Sequence, residues 1–156
     1  MITKKIFIVD DDKFYTNILQ AKLNAIGDFD LETFHSGQDC IDNIYQQPQI
    51  IFLDHILGDT TGLEVLKEIK STYPHIHIVM LSGQQEMKIA ISLLKFGATD
   101  YLLKGLDDSE LRLSRIILNC EKITNALENK QSKKKKNKFK FCFNKLKTTI
   151  SINKFK

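Results

Sequence analysis

A chain of 156 residues, 42% hydrophobic and 27% charged, suits one globular domain with a real buried core. Its net charge of +4 hides a segregation: residues 1–128 hold all 19 acids and 12 Lys+Arg, whereas residues 129–156 hold 11 Lys+Arg and no acid. Three scattered cysteines (Cys40, Cys120, Cys142) exclude a disulfide framework or structural zinc site, and no apolar run approaches the ~18 residues of a membrane span, so a reduced, cytoplasmic setting is expected.

In chain order the first apolar run is "IFIV" (6–9), too short for a signal peptide. A helical face follows at Phe14, Ile18, Leu19, Leu23 and Ile26, closed by Gly27. The run "LETF" (31–34) precedes "SGQD" (36–39), an N-cap with an acid three residues on, and then Ile41, Ile44 and Tyr45. "IIFL" (50–53) leads to a helix with Leu63, Leu66 and Ile69, stopped by Pro74. "IHIVML" (76–81) precedes Met87, Ala90, Ile91 and Leu94, a helical spacing capped by Gly97. "YLL" (101–103) precedes Ser109, Leu111, Ile116, Cys120, Ile123 and Leu127, a long last helix. Five β-α units with strands apolar along most of their length predict a parallel sheet covered on both faces. Cys40 and Cys120 fall on helical apolar faces and read as core.

Such sheets put their ligand site beyond the carboxyl ends of the strands. Those ends carry Asp10, Asp11 and Asp12, then Asp54, then Ser82 and Gly83, then Lys104. Crowded carboxylates cannot all ionise in a dry site without a cation, and oxygen ligands suit Mg²⁺. A hydroxyl and an ammonium beside them suit a phosphoryl group, with Asp54 as the nucleophile that forms an acyl phosphate. Lys104 would neutralise one phosphoryl oxygen, and Ser82 would donate to another.

The elements "IFIVDDD", "IIFLDHILGDTTGLEVLKEIK", "IVMLSG" and "GATDYLLKG", in this order, resemble the receiver domain of two-component response regulators. The resemblance covers residues 4 to about 128, and it implies a chemotaxis-receiver-like α/β fold. That fold is a doubly wound, five-stranded parallel sheet in the order 2-1-3-4-5, with helices on both faces. It further implies that Asp54 is the phosphoacceptor. Mg²⁺ (or Mn²⁺) would be held by Asp11 directly, by Asp10 through water, by Asp54, and by the backbone carbonyl of Ile56. Ser82 and Tyr101 would be the switching hydroxyl and aromatic, and Lys104 the phosphoryl grip. The implied donor is a phosphohistidine on a sensor kinase or phosphotransfer protein, and the output is an altered surface around helix 4, strand 5 and helix 5. The chain departs from the family where Gly58 and Asp59 replace a usual Pro-Gly turn, which predicts a looser turn. It departs again where Gly105 replaces the proline after the lysine.

The blander readings are that Asp10 and Asp11 cap helix 1, that Tyr101 is core, and that His55 fills a variable position. "HIH" (His75, His77) invites a metal, but no nearby acid or cysteine completes a site. The expected organisation is a receiver at 1–128 and a basic tail at 129–156 without an attached DNA-binding domain. The tail interleaves lysines with Phe139, Phe141, Phe143, Leu146 and Phe155. It reads as disordered, as docked on the acidic domain, or as a binder of anionic membrane or nucleic acid. The function expected is a stand-alone phosphorylatable switch rather than an enzyme. The alternative is an unphosphorylated scaffold that binds through its tail or surface. A Mg²⁺ phosphatase is disfavoured, because Ile56 stands where a second Asp would be needed.

Overall fold

A computed structural model of the chain describes residues 3–83 and 87–152, with backbone alone for 87–89 and 136–152. The strands are β1 (Lys4–Val9), β2 (Phe29–Phe34), β3 (Ile50–Asp54), β4 (His77–Ser82) and β5 (Asp100–Leu103). They form one parallel sheet in the order β2-β1-β3-β4-β5. Ile6 and Ile8 of β1, with Ile50 and Phe52 of β3, face one core. Phe7 and Val9, with Ile51 and Leu53, face the other. Both faces are therefore dry, which explains why these strands are continuous apolar runs rather than alternating ones. β1 and β2 start two residues earlier than hydrophobicity predicts. There Lys4 and Lys5 pair with Phe29 and Asp30 in the ladder, and a 2.8 Å ion pair joins Lys5 to Asp30.

The helices are α1 (Lys13–Ile26), α2 (Gly37–Asn43), α3 (Gly62–Thr72), α4 (Met87–Lys95) and α5 (Glu110–Ile152). Ser36 caps α2 as expected, by accepting from the Asp39 N–H. Thr61 and Glu64 close a reciprocal capping box on α3. Gly62 is required by close approach: a Cβ there would overlap the Asp54 carbonyl. Gly97 ends α4 at φ 101°, a left-handed conformation that suits glycine.

Several expected core positions point elsewhere. Phe14 is 74% exposed, because α1 turns inward along Tyr15, Leu19 and Leu23, with Thr16 beside them. Tyr45 is exposed because α2 ends at Asn43 and gives way to a 3₁₀ turn, Ile44–Gln46, which breaks the helical period. On α4 the buried residue is Leu93, which leaves Ile91 and Leu94 half-exposed; the Met87 side chain lies outside the described residues. On α5 the inward line is Leu113, Ile116, Ile117 and Cys120, so Leu111 faces solvent.

The chain divides into two units, Met1–Cys120 and Glu121–Lys156. In the second unit Ile123 and Leu127 are exposed, and so are residues 131–135. The side chains of Phe139, Phe141, Phe143 and Leu146, and all of Phe155, lie outside the described residues. Among the described residues no helix is long and apolar enough to cross a membrane.

Candidate functional site

β1 and β3 are adjacent, while their following helices cover opposite faces of the sheet, so the chain leaves a crevice at their carboxyl ends. Asp10 directly follows β1 and is fully buried. Its backbone N–H donates to the Phe34 carbonyl, its own carbonyl is 3.0 Å from His35 Nδ1, and its Oδ1 accepts from the Asp12 N–H. Asp11 stands exposed at the rim, and Asp54 closes β3 at 6% exposure. One oxygen from each of these three carboxylates lies within 4.8 Å of the others.

Lys104 crosses from the end of β5. Its Nζ is 2.6 Å from Asp10 Oδ2 and 3.0 Å from Asp54 Oδ1. Burial alone would lower the lysine, but the two carboxylates outweigh it and raise its pKa, so it stays an ammonium. Asp54 is pushed up to about 6, first by burial and then by the charge of Asp10. Lys104 and the His55 N–H, 2.9 Å from Asp54 Oδ1, offset only part of that. The site thus holds more negative charge than one ammonium balances. Three carboxylates in a crevice are a hard-oxygen donor set, which fits Mg²⁺ or Mn²⁺.

Ser82 ends β4, buried, and its carbonyl accepts from the Lys104 N–H at 2.9 Å. Tyr101 is half-buried against the core on the α3 and α4 face. Ile56, two residues past Asp54, is exposed and bridges backbone to backbone with Thr61. The structure thus brings Asp10, Asp11, Asp54 and Lys104 together, with Ser82 at the adjoining strand end. His77 is buried with Nδ1 3.3 Å from Thr99 Oγ1, and His75 is exposed. Among the described residues only Asp10, Asp11 and Asp54 form a metal-sized group of His, Cys, Asp or Glu.

One expectation changes, and one of the blander readings falls. The turn after Asp54 is tied down rather than loose: Asp59 accepts from the N–H groups of Gly37 and Gln38, each at 3.0 Å, at the start of α2. Those amides hold its carboxyl below the usual range. The acid that caps α1 is Asp12, which frees Asp10 and Asp11 for the crevice. Sequence reasoning passed over Tyr15 and Asp108, which meet beside Lys104: the Tyr15 hydroxyl donates to Asp108 at 2.9 Å. A polar residue with its hydroxyl on an otherwise apolar helix face was the available signal.

The family model described as response regulator receiver domain matches residues 6–115. The transcriptional regulatory protein ZraR of Escherichia coli (strain K12) is 32% identical over 108 residues, which is 69% of this chain and 24% of ZraR. The chain therefore matches about a quarter of the length of such curated relatives. Among solved structures, the BeF3-activated receiver domain of DrrB, a Thermotoga maritima protein, gives a TM-score of 0.68 at 28% identity, covering 77% of this chain and 99% of that one. The Mn(2+)-bound form of response regulator Rcp1 gives 0.62 at 26% identity, covering 72% and 91%.

Proposed function

The chain belongs to the response regulator receiver domain family, and on that premise we propose that it is a phosphoryl-controlled switch. The observation that carries this reading is the convergence of Asp10, Asp11 and Asp54 with the Lys104 ammonium at one sheet edge. An Asp54 oxygen attacks the phosphorus of a phosphohistidine, the N–P bond breaks, and the imidazole leaves and takes a proton from solvent. A divalent cation held by Asp10, Asp11, Asp54 and the Ile56 carbonyl would neutralise the charge of the meeting groups. Lys104 and Ser82 then take phosphoryl oxygens, and Tyr101 follows Ser82 to alter the surface of α4, β5 and α5. We assign this role to residues 1–128.

Incubation with Mg²⁺ and acetyl phosphate should give one base-labile adduct on the wild type and none on Asp54→Ala. Equal labelling of Asp54→Ala would reject the site. A wild type that takes no phosphoryl group from acetyl phosphate or from any histidine kinase would reject the function, leaving a receiver-fold binding module.

For residues 129–156 we infer attraction to anionic membrane surfaces, supported by 11 Lys+Arg without an acid. Each lysine near anionic lipid adds about 1 kcal/mol. Full-length chain should sediment with phosphatidylserine vesicles at low salt and be released at high salt. Replacing Lys133, Lys134 and Lys135 by Glu should weaken it by about tenfold or more. Retention unchanged by those replacements, or seen only with DNA, would overturn the inference.

A further inference from the structure

Asp108 is only 3% exposed, and three donors surround it. Lys22 Nζ is 2.9 Å from Oδ1, while the Tyr15 hydroxyl at 2.9 Å and the Gly105 N–H at 3.1 Å donate to Oδ2. A buried acid is tolerable only when paired in this way. Burial alone would raise its carboxyl, but these three donors hold it below the usual range, so it is an anion. None of its partners is one of the carboxylates that face the metal site.

What Asp108 holds is the residue after Lys104. Gly105 has φ 73°, a conformation open to glycine and strained for other residues. The turn is closed by the Leu106 and Asp107 N–H groups, which both donate to the Leu103 carbonyl. Lys104 is therefore pinned on both sides: its own N–H donates to Ser82 on β4, and the next N–H donates to Asp108. Its ammonium is also held from beneath, 4.9 Å from the centre of the Tyr15 ring. Tyr15 joins the two devices, with its ring under the ammonium and its hydroxyl on Asp108.

We propose that Tyr15 and Asp108, steadied by Lys22, are positioning residues for Lys104. They aim its ammonium into the crevice, and so they set the rate of phosphoryl uptake rather than the affinity for metal. The proposal rests on the reading that Lys104 grips the phosphoryl group. A lysine stem is flexible, and a small displacement of a charge from the reacting group is costly in rate. Asp108 also borders the start of α5, so the clamp ties the grip of Lys104 to that helix as well as to α1.

The test measures phosphoryl uptake from acetyl phosphate, as maximal rate and as half-saturating Mg²⁺, in full-length protein. Asp108→Ala should lower the maximal rate about tenfold and shift half-saturating Mg²⁺ less than about twofold. Tyr15→Phe keeps the ring and should lose only about threefold. In a Lys104→Ala background neither substitution should cause further loss, because the residue through which both act is gone. A merely structural role would slow the Lys104→Ala background by the same factor, and that result overturns the proposal. Undiminished rates in both variants, or a Mg²⁺ affinity that falls in step with the rate, overturn it too. If Asp108→Ala fails to fold, Tyr15→Phe in the two backgrounds decides alone. A wild type that takes no phosphoryl group sinks the receiver reading as well, whereas these patterns in a labelled wild type sink the clamp only.

Discussion

Lys104→Ala should cost the protein about 3 kcal/mol of stability in EDTA, and Mg²⁺ should restore most of it. The reason lies in the charge balance of the crevice. Lys104 is paired at 2.6 Å with Asp10 and at 3.0 Å with Asp54, two carboxylates that are nearly or fully buried. Removing one partner of a buried pair leaves the desolvated charges that remain uncompensated, a larger effect than the net worth of the pair. Here the loss strands two like charges together. A divalent cation among the same oxygens would serve in place of the ammonium, and binding to the folded state alone stabilises it by mass action. The variant should therefore gain more from Mg²⁺ than the wild type, whose lysine competes for Asp10 and Asp54. Urea melts of both proteins, with EDTA and with millimolar Mg²⁺, measure this. Equal midpoints in EDTA would show that the pair contributes nothing, and equal gains from Mg²⁺ would show that metal and lysine do not share the carboxylates.

The sheet was legible because its central strands β1, β3 and β4 are buried on both faces and so are written as plain apolar runs. "IIFL" and "IHIVML" could be little else. The acids at Asp10, Asp11 and Asp54 and the ammonium at Lys104 were legible as a set, because charges ending several apolar strands of one parallel sheet meet at one edge. Helix faces were harder, since one residue of rotation exchanges Phe14 for Tyr15. The side chain that is inward in α1 is decided by what awaits it, namely Asp108 from 93 positions away. The hydroxyl of Tyr15 on an apolar face signals a partner but does not say which one. Asp59 was misjudged in the same way, because its partners are the amides of Gly37 and Gln38, and an acid in a turn looks the same whether or not a helix start lies opposite. Tertiary hydrogen bonds, rather than periodicity, decide such positions.

Asp54→Asn should stabilise the metal-free protein at neutral pH by about 1–3 kcal/mol, although it removes the proposed phosphoacceptor. Burial first, and the charge of Asp10 second, push the Asp54 carboxyl up to about 6 from its ordinary 3.8. The folded state therefore keeps this proton to a higher pH than the unfolded chain does. Its contribution to stability is fully present below about pH 4 and is lost as pH rises through about 6. At neutral pH the ionised Asp54 is a liability, and asparagine removes the charge while nearly keeping the shape. Denaturation in EDTA across that range should show wild-type stability falling relative to Asp54→Asn, with the gap opening between about pH 4 and 6. A gap that stays constant with pH, or a variant less stable than wild type at neutral pH, would refute the assignment of that strain to Asp54. Mg²⁺ should close the gap from the other side, because it binds the ionised carboxylate and its affinity must weaken as pH falls through about 6. The same excess of negative charge that weakens the fold would drive the crevice to take up a cation. A site relaxed by neutralising Asp54 would have no such drive, which is why the more stable protein should be the inert one.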